Sequence, residues 1–368
     1  MIPFNDLKPT HVLLVKELEE ALRRVVERGW FILGPEVEAF ETAFAAYHGV
    51  AHAVGVANGT DAIELALRAA NVGTGDEVIT VAHTAVATVC AVEQAGATPV
   101  LVDIDPKTYT MDPVAAEAAI TPRTTALLPV HLYGQPADMT ALCDLAKRHH
   151  LLLIEDCAQA HGARQAGRLV GTFGHMATFS FYPTKNLGAY GDGGAVLTDD
   201  TRLADRLRRL RNYGQTSRYY HAERGTNSRL DEMQAAILAV KLTYLDQHNE
   251  IRRKLANHYT QHLEQTIQPW VREQTYHVYH LYVIRHPRRD ALMAALKRRE
   301  IGTLIHYPIP VHLQEAYTDL GYKPGSLPVT ERTARKVLSL PLYIGLALDD
   351  VEHVAQAITD FEKEAPDG

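Results

Sequence analysis

The 368-residue chain is poor in cysteine, with three thiols, Cys90, Cys143 and Cys157, at no metal-type spacing. So sparse and odd a set excludes a disulfide scaffold and fits a reducing compartment, all three being expected as small core residues. A basic excess is missing too. The net charge of -7 argues against a dedicated nucleic-acid binder, which would carry a basic domain or stripe. The one strongly basic run, "RLADRLRRLRNYG" at 202–214, has helical spacing with interspersed leucines. It reads as a solvated helix face, with local anion steering as the alternative. No stretch reaches the ~18 uninterrupted apolar residues of a membrane span. The start "MIPFNDLKPTHVLL" has no basic region leading into an apolar one. A cytoplasmic protein with neither nucleic acid nor membrane as partner is therefore expected. Internal repeats and low-complexity tracts are also absent.

What is present is ordinary for a globular enzyme, with 46% hydrophobic and 22% charged residues. The length exceeds that at which a single core usually stops growing, so two parts are expected. A helical pattern follows Pro9 and stops at Gly29, with Leu14, Leu18, Leu22, Val25 and Val26 near a 3.6-residue period. A second helix occupies "GPEVEAFETAFAAYHG", ended by Gly49. Short β-rich runs then alternate with helices as far as "LLLIED", which predicts a mostly parallel sheet covered on both faces. The pattern changes near Leu245, where a long polar helix leads out of the sheet. We therefore expect a large domain over 1–245 and a smaller α/β domain over 246–368.

In a parallel sheet the ligand lies beyond the carboxyl ends of the strands. The segments there are "NGTD" (58–61), "HT" (83–84), "DIDP" (103–106), "HLYGQ" (131–135) and "DCAQAHGA" (156–163), and they should converge. Gly59 and Thr60 open a helix, whose unpaired amides and positive dipole end suit a phosphate. An ordinary N-cap by Asn58 or Thr60 is the alternative. Asp156 ends a buried strand, where a carboxylate needs a charged partner such as a protonated pyridine nitrogen; capping of the next segment is the plainer reading. Gln159 could meet a ring substituent. In "FSFYPTKNLGAYGDGG" (179–194) Lys185 stands among aromatics, either snorkelling to water or desolvated into a nucleophile that holds a carbonyl as a Schiff base. Ser180 could add a hydroxyl to a phosphate cradle. Phosphate, basic ring nitrogen and aldehyde together describe pyridoxal 5'-phosphate, whose ring then acts as an electron sink. The other histidines, including His149, His150, His161 and His175, lack zincin-type spacing, and no metal is expected.

The segments "GPEVEAFE", "NGTDAIELAL", "GDEVI", "IEDCAQAHGA", "FSFYPTKNLGAYGDGG", "RNYGQ" and "NSRLDEMQAAIL" resemble the DegT/StrS-type nucleotide-sugar aminotransferases, in order and over nearly the whole chain. The resemblance implies the fold of type I pyridoxal phosphate enzymes, a mixed, mostly parallel seven-stranded sheet flanked by helices. It implies Lys185 as the cofactor-binding lysine and general acid/base, Asp156 at the pyridine nitrogen and Gln159 at the ring hydroxyl. Gly59, Thr60 and Ser180 would hold the phosphate, and Asn227 would reach it from the neighbouring subunit of a homodimer with shared active sites. Where the family often stacks an aromatic ring on the cofactor this chain has Ala85, and His83 is the candidate replacement, beside the plainer reading of a surface-loop histidine. His306 and His312, in "HYPIPVHLQEAY", are candidate substrate contacts or parts of a proline-shaped connection. The implied reaction moves an amino group from an amino acid, glutamate first, through pyridoxamine 5'-phosphate to a nucleotide-linked keto-deoxysugar. The segments lean toward the C3 keto group of a dTDP-3-keto-6-deoxyhexose. The alternatives are C4 amination of a nucleotide-4-keto-6-deoxyhexose or a non-catalytic regulatory protein on the same fold. A dehydratase of this branch would carry histidine at Lys185.

Overall fold

The structure, a computed structural model, describes residues 1–264 and 267–364. Seven strands build the central sheet: β1 (His52–Val56), β2 (Glu77–Val81), β3 (Thr98–Val102), β4 (Thr124–Leu127), β5 (Leu152–Asp156), β6 (Met176–Ser180) and β7 (Gly194–Thr198). Their spatial order is β1-β7-β6-β5-β4-β2-β3. Strand β7 runs antiparallel to β1 and β6, and the remaining pairings are parallel. The expected mixed, mostly parallel sheet is what forms.

Alternation along the strands feeds two separate cores, because successive side chains leave opposite faces of a sheet. On one face Ala53, Phe179, Ala195 and Leu197 pack with the helices Pro35–His48 and Glu232–Leu242. On the other, Val54, Met176 and Val196 pack with the helices Gly59–Ala69 and Thr201–Leu210. Residues such as Ala53 and Val54 thus serve different cores one position apart, which pins the register of the sheet.

The first helix runs Lys8–Arg28, with Pro9 in its first turn and Gly29 closing it at φ 67°. Its buried stripe is Leu14, Leu18, Ala21 and Val25. Val26, expected on that stripe, is exposed, because the partner helix Glu232–Leu242 meets the face that Ala21 and Val25 share with Ala236. The basic run forms the helix Thr201–Leu210, and its charges are largely neutralised: Arg206 and Arg209 both bond Glu223, and Arg208 bonds Asp205. Arg211, just beyond, is buried against Glu41. Of the three free thiols Cys157 is buried, whereas Cys90 and Cys143 are only half-buried, so the expectation of three core cysteines holds for one.

After the 18-residue helix Leu245–His262, an antiparallel pair (Tyr282–Arg285 with Val337–Leu340) and the helices Arg289–Arg298 and Leu348–Glu364 enclose a further core around Tyr259, Tyr282 and Ile358. The N-terminal segment joins this part, since Ile2 pairs in parallel with Ile301. The junction between this core and the C-terminal ends of the sheet strands is where the polar side chains gather.

Candidate active site

A cavity of about 260 Å³ opens there, and Gly59, Thr60, Asp156, Gln159, Ser180 and Lys185 all line it. Ser180 reaches it through the alternation of "FSF": Phe179 and Phe181 point into the aromatic core around Phe40 and Phe44, which leaves Ser180 between them facing the cavity. The chain then turns, and Lys185 follows with its backbone amide on the Tyr182 carbonyl at 2.8 Å. Gly188 allows this turn, since a Cβ there would sit 2.4 Å from the Pro183 oxygen.

Lys185 is half-buried at the cavity wall, and its amine makes no hydrogen bond among the described residues. Burial pulls its pKa from 10.5 down to about 8, against the opposing pull of the Asp156 charge. The neutral fraction thereby gained near physiological pH makes this amine a usable nucleophile. Asp156 is buried and its pKa is raised by desolvation, opposed by hydrogen bonds from the Ala158 amide at 3.1 Å and the Thr88 hydroxyl at 2.9 Å, and by Lys185. Among the described residues two neutral donors and no cationic side chain hydrogen-bond it, which leaves the carboxylate suited to a cationic ligand atom.

At the opposite wall Asn58 caps the helix Gly59–Ala69 by accepting from the Asp61 amide at 2.9 Å, so the ordinary-cap reading also holds. The first amides of the helix still face the cavity. A Cβ on Gly59 would lie 2.6 Å from the Cβ of Ser180, so only glycine lets this helix end and Ser180 close on one small anion. The residues therefore fit pyridoxal phosphate: a phosphate cradle, an unpaired buried carboxylate and a desolvated amine around one cavity.

Gln159 is held from both sides, accepting from the Tyr133 amide at 2.8 Å and donating to the Tyr307 hydroxyl at 3.1 Å. His83 sits one layer behind the wall, fully buried, with Nε2 2.8 Å from the Tyr133 hydroxyl. The wall itself is made of Thr84, Ala85 and Thr88. Burial holds the His83 pKa down at about 4, so the imidazole is neutral. Of the two histidines in "HYPIPVHLQEAY", His306 lines a second cavity next door, while His312 is buried against Glu331 at 3.3 Å, away from both. Asn227 lies outside the lining, in a bridge to Asn212.

Three of the five strand-end segments line the cavity, and a fourth, 131–135, reaches it through the Tyr133 amide on Gln159. The exception is "DIDP": Asp103 instead accepts from the Val329 and Thr330 amides at 2.8 and 2.7 Å. Its strand β3 forms the sheet edge, too far along the order for its loop to reach the centre. Thr88, Tyr133 and Tyr307 were not singled out by sequence reasoning. Thr88 stands one helical turn beyond Thr84, and that spacing was the available signal. Beneath the site His131, Glu155 and Cys157 come within 4.8 Å of one another. Glu155 is already saturated there by the amides of Gly171, Phe173 and Gly174 and by His131.

A fold type I sheet with a desolvated lysine facing a buried aspartate and a helix-end cradle defines a pyridoxal phosphate enzyme. More narrowly, the chain belongs to the DegT/DnrJ/EryC1/StrS aminotransferase family, which matches residues 13–359. It is 51% identical over 363 residues to the dTDP-3-amino-3,4,6-trideoxy-alpha-D-glucose transaminase of Streptomyces venezuelae, covering 98% of this chain and 96% of that one. It is 49% identical over 365 residues to the "Pleiotropic regulatory protein" of Geobacillus stearothermophilus, covering 98% of each. The crystal structure of S. venezuelae DesV in complex with a ketimine intermediate superposes with a TM-score of 0.97 at 50% identity over 99% of both chains.

Proposed function

We propose that this aminotransferase moves an amino group from glutamate to the C3 keto group of a dTDP-linked 3-keto-6-deoxyhexose. The observation that carries the reading is the desolvated Lys185 amine at a cavity whose other walls are Asp156 and the Gly59–Thr60 helix end. Similarity to transaminases that form 3-amino sugars supports the choice of C3 over C4. The regulatory name carried by one relative describes that protein.

When bound, pyridoxal phosphate supplies an electron sink for charge developing at the amine-bearing carbon. The protein's own groups do the rest. The amides of Gly59 and Thr60, with the hydroxyls of Thr60 and Ser180, would hold the phosphate. Asp156 Oδ would keep a proton on the pyridine nitrogen, and Gln159, fixed by Tyr133 and Tyr307, would meet the ring hydroxyl. Lys185 Nζ would hold the aldehyde carbon until the donor's amine displaces it, and the freed amine would then take the proton from the donor's α-carbon and, in the second half-reaction, deliver one to the sugar's C3. Thr84 and Ala85 would face the ring, with His83 behind that wall and bonded to the Tyr133 hydroxyl.

The same reading includes a homodimer in which Asn227 contributes to the neighbour's phosphate site. It is supported by exposed aromatic side chains at Trp30, Phe31, Tyr182 and Tyr213 around the cavity loops and N-terminal helix. We further take 1–245 as the cofactor domain, 246–368 as the domain nearer the sugar, with His306 on its side of the site, and the cytoplasm as the compartment, which suits three unpaired thiols.

The test is an absorption spectrum of purified protein with pyridoxal phosphate, before and after glutamate, followed by turnover of dTDP-3-keto and dTDP-4-keto sugars with the product carbon assigned by NMR. A visible band that glutamate abolishes and a 3-amino product are expected. A 4-amino product overturns the regiochemistry, and a spectrum indifferent to every amino acid overturns the transaminase.

A further inference from the structure

Beside the cofactor cavity lies a second one of about 180 Å³. Its walls include Thr184, the residue before Lys185, together with His306, Arg252, Asn5, Leu304 and Leu342. The two cavities share a partition, because Tyr307 follows His306 and bonds Gln159, which lines the first. Lys185 is close enough for its charge to lower the pKa of His306, after burial, toward about 4.

Arg252 is the unusual member. It is only 7% exposed, and its Nη1 donates to the carbonyls of Tyr279, His280 and Leu342 at 3.3, 3.4 and 3.1 Å. Among the described residues its Nε and Nη2 make no hydrogen bond, it joins no salt bridge, and no acidic side chain lines the cavity. Burial alone brings its pKa down to about 10, with no carboxylate to raise it. A guanidinium kept charged and buried without a counter-ion is costly, so the missing anion is expected to arrive with a ligand.

We propose that this cavity seats a carboxylate of the amino donor, paired with Arg252. This rests on the transaminase reading and adds to it the place where the donor is recognised. A planar guanidinium matches a carboxylate in two-point contact, and Leu304 and Leu342 suit the methylene chain of a dicarboxylic amino acid. The volume is below the ~300–1,000 Å³ of sites for larger ligands, so the nucleotide sugar does not fit. His306, neutral and fixed on the Ser339 hydroxyl at 2.9 Å, leaves Arg252 as the permanent charge of the cavity.

The holoenzyme is titrated by calorimetry with glutarate, which has both carboxylates and no amine to react, with propionate, which has one, and with thymidine diphosphate. Glutarate should bind the wild type, and Arg252→Gln should weaken it by about 10- to 100-fold while thymidine diphosphate affinity stays within twofold. Parallel loss of propionate binding shows that one carboxylate suffices for Arg252; loss confined to glutarate shows that both ends of the dicarboxylate are needed. Unchanged glutarate affinity in folded Arg252→Gln overturns the proposal, as does equal weakening of glutarate and thymidine diphosphate, which marks a purely structural arginine. Should Arg252→Gln not fold, Leu304→Trp fills the cavity from a half-exposed position, and glutarate affinity unchanged by it is equally fatal. A wild-type spectrum indifferent to all amino acids would sink the transaminase reading, while Arg252-dependent glutarate binding would still stand.

Discussion

Glu155 and Asp156 are neighbours on β5, both almost fully buried, and the two sides of that strand end use them in opposite ways. Glu155 accepts three backbone amides and faces His131, so every demand of its charge is met inside the protein. Asp156 receives one amide and one hydroxyl, and desolvation raises its pKa. Burial is equal on the two sides and therefore uninformative. What separates a supporting carboxylate from a ligand-binding one is how much of its hydrogen-bonding capacity is left over.

The comparison can be broken by experiment. The largest effect is expected on the cavity side at Lys185: Lys185→Ala should lower transamination on the order of 10⁴-fold with little change in the thermal midpoint, read by coupled assay and calorimetry. Asp156→Asn should follow with a loss of about 10²- to 10³-fold in kcat, since a neutral amide no longer keeps the ring nitrogen protonated. Glu155→Gln should do the reverse, costing about 3 kcal/mol in urea unfolding while kcat in the folded fraction moves less than about threefold. If Glu155→Gln proves catalytically dead yet stable, leftover capacity is the wrong criterion.

Two smaller effects sharpen it. Gly59→Ala pushes a methyl against Ser180 and should weaken cofactor binding by about tenfold, measured by titration of apoprotein. The last effect is a pH dependence. Lys185 has a pKa of about 8 in the folded chain against 10.5 for an ordinary lysine, so the unfolded chain binds more protons between those values. Apoprotein stability should therefore gain a contribution as pH rises from about 8 toward 10.5, one that Lys185→Met lacks. Attachment of the cofactor should strengthen as the amine deprotonates through about pH 8.

Sequence by itself determined the alternation of strands and helices, since burying two sheet faces demands it, and with it the strand ends where ligands bind. Lys185, Asp156 and the Gly59 turn stood out because each combines an awkward chemistry with a definite local position. The bond from Thr88 to Asp156, the clamp of Tyr133 and Tyr307 on Gln159, and the edge position that removes Asp103 from the site came only with tertiary structure. So did the placement of Arg252, a polar-helix residue by pattern, against a cavity beside Lys185. These join residues 26 to 148 positions apart for Asp156 and Gln159, and local periodicity carries no information about which distant backbone will stand opposite. Packing of the two cores made that choice.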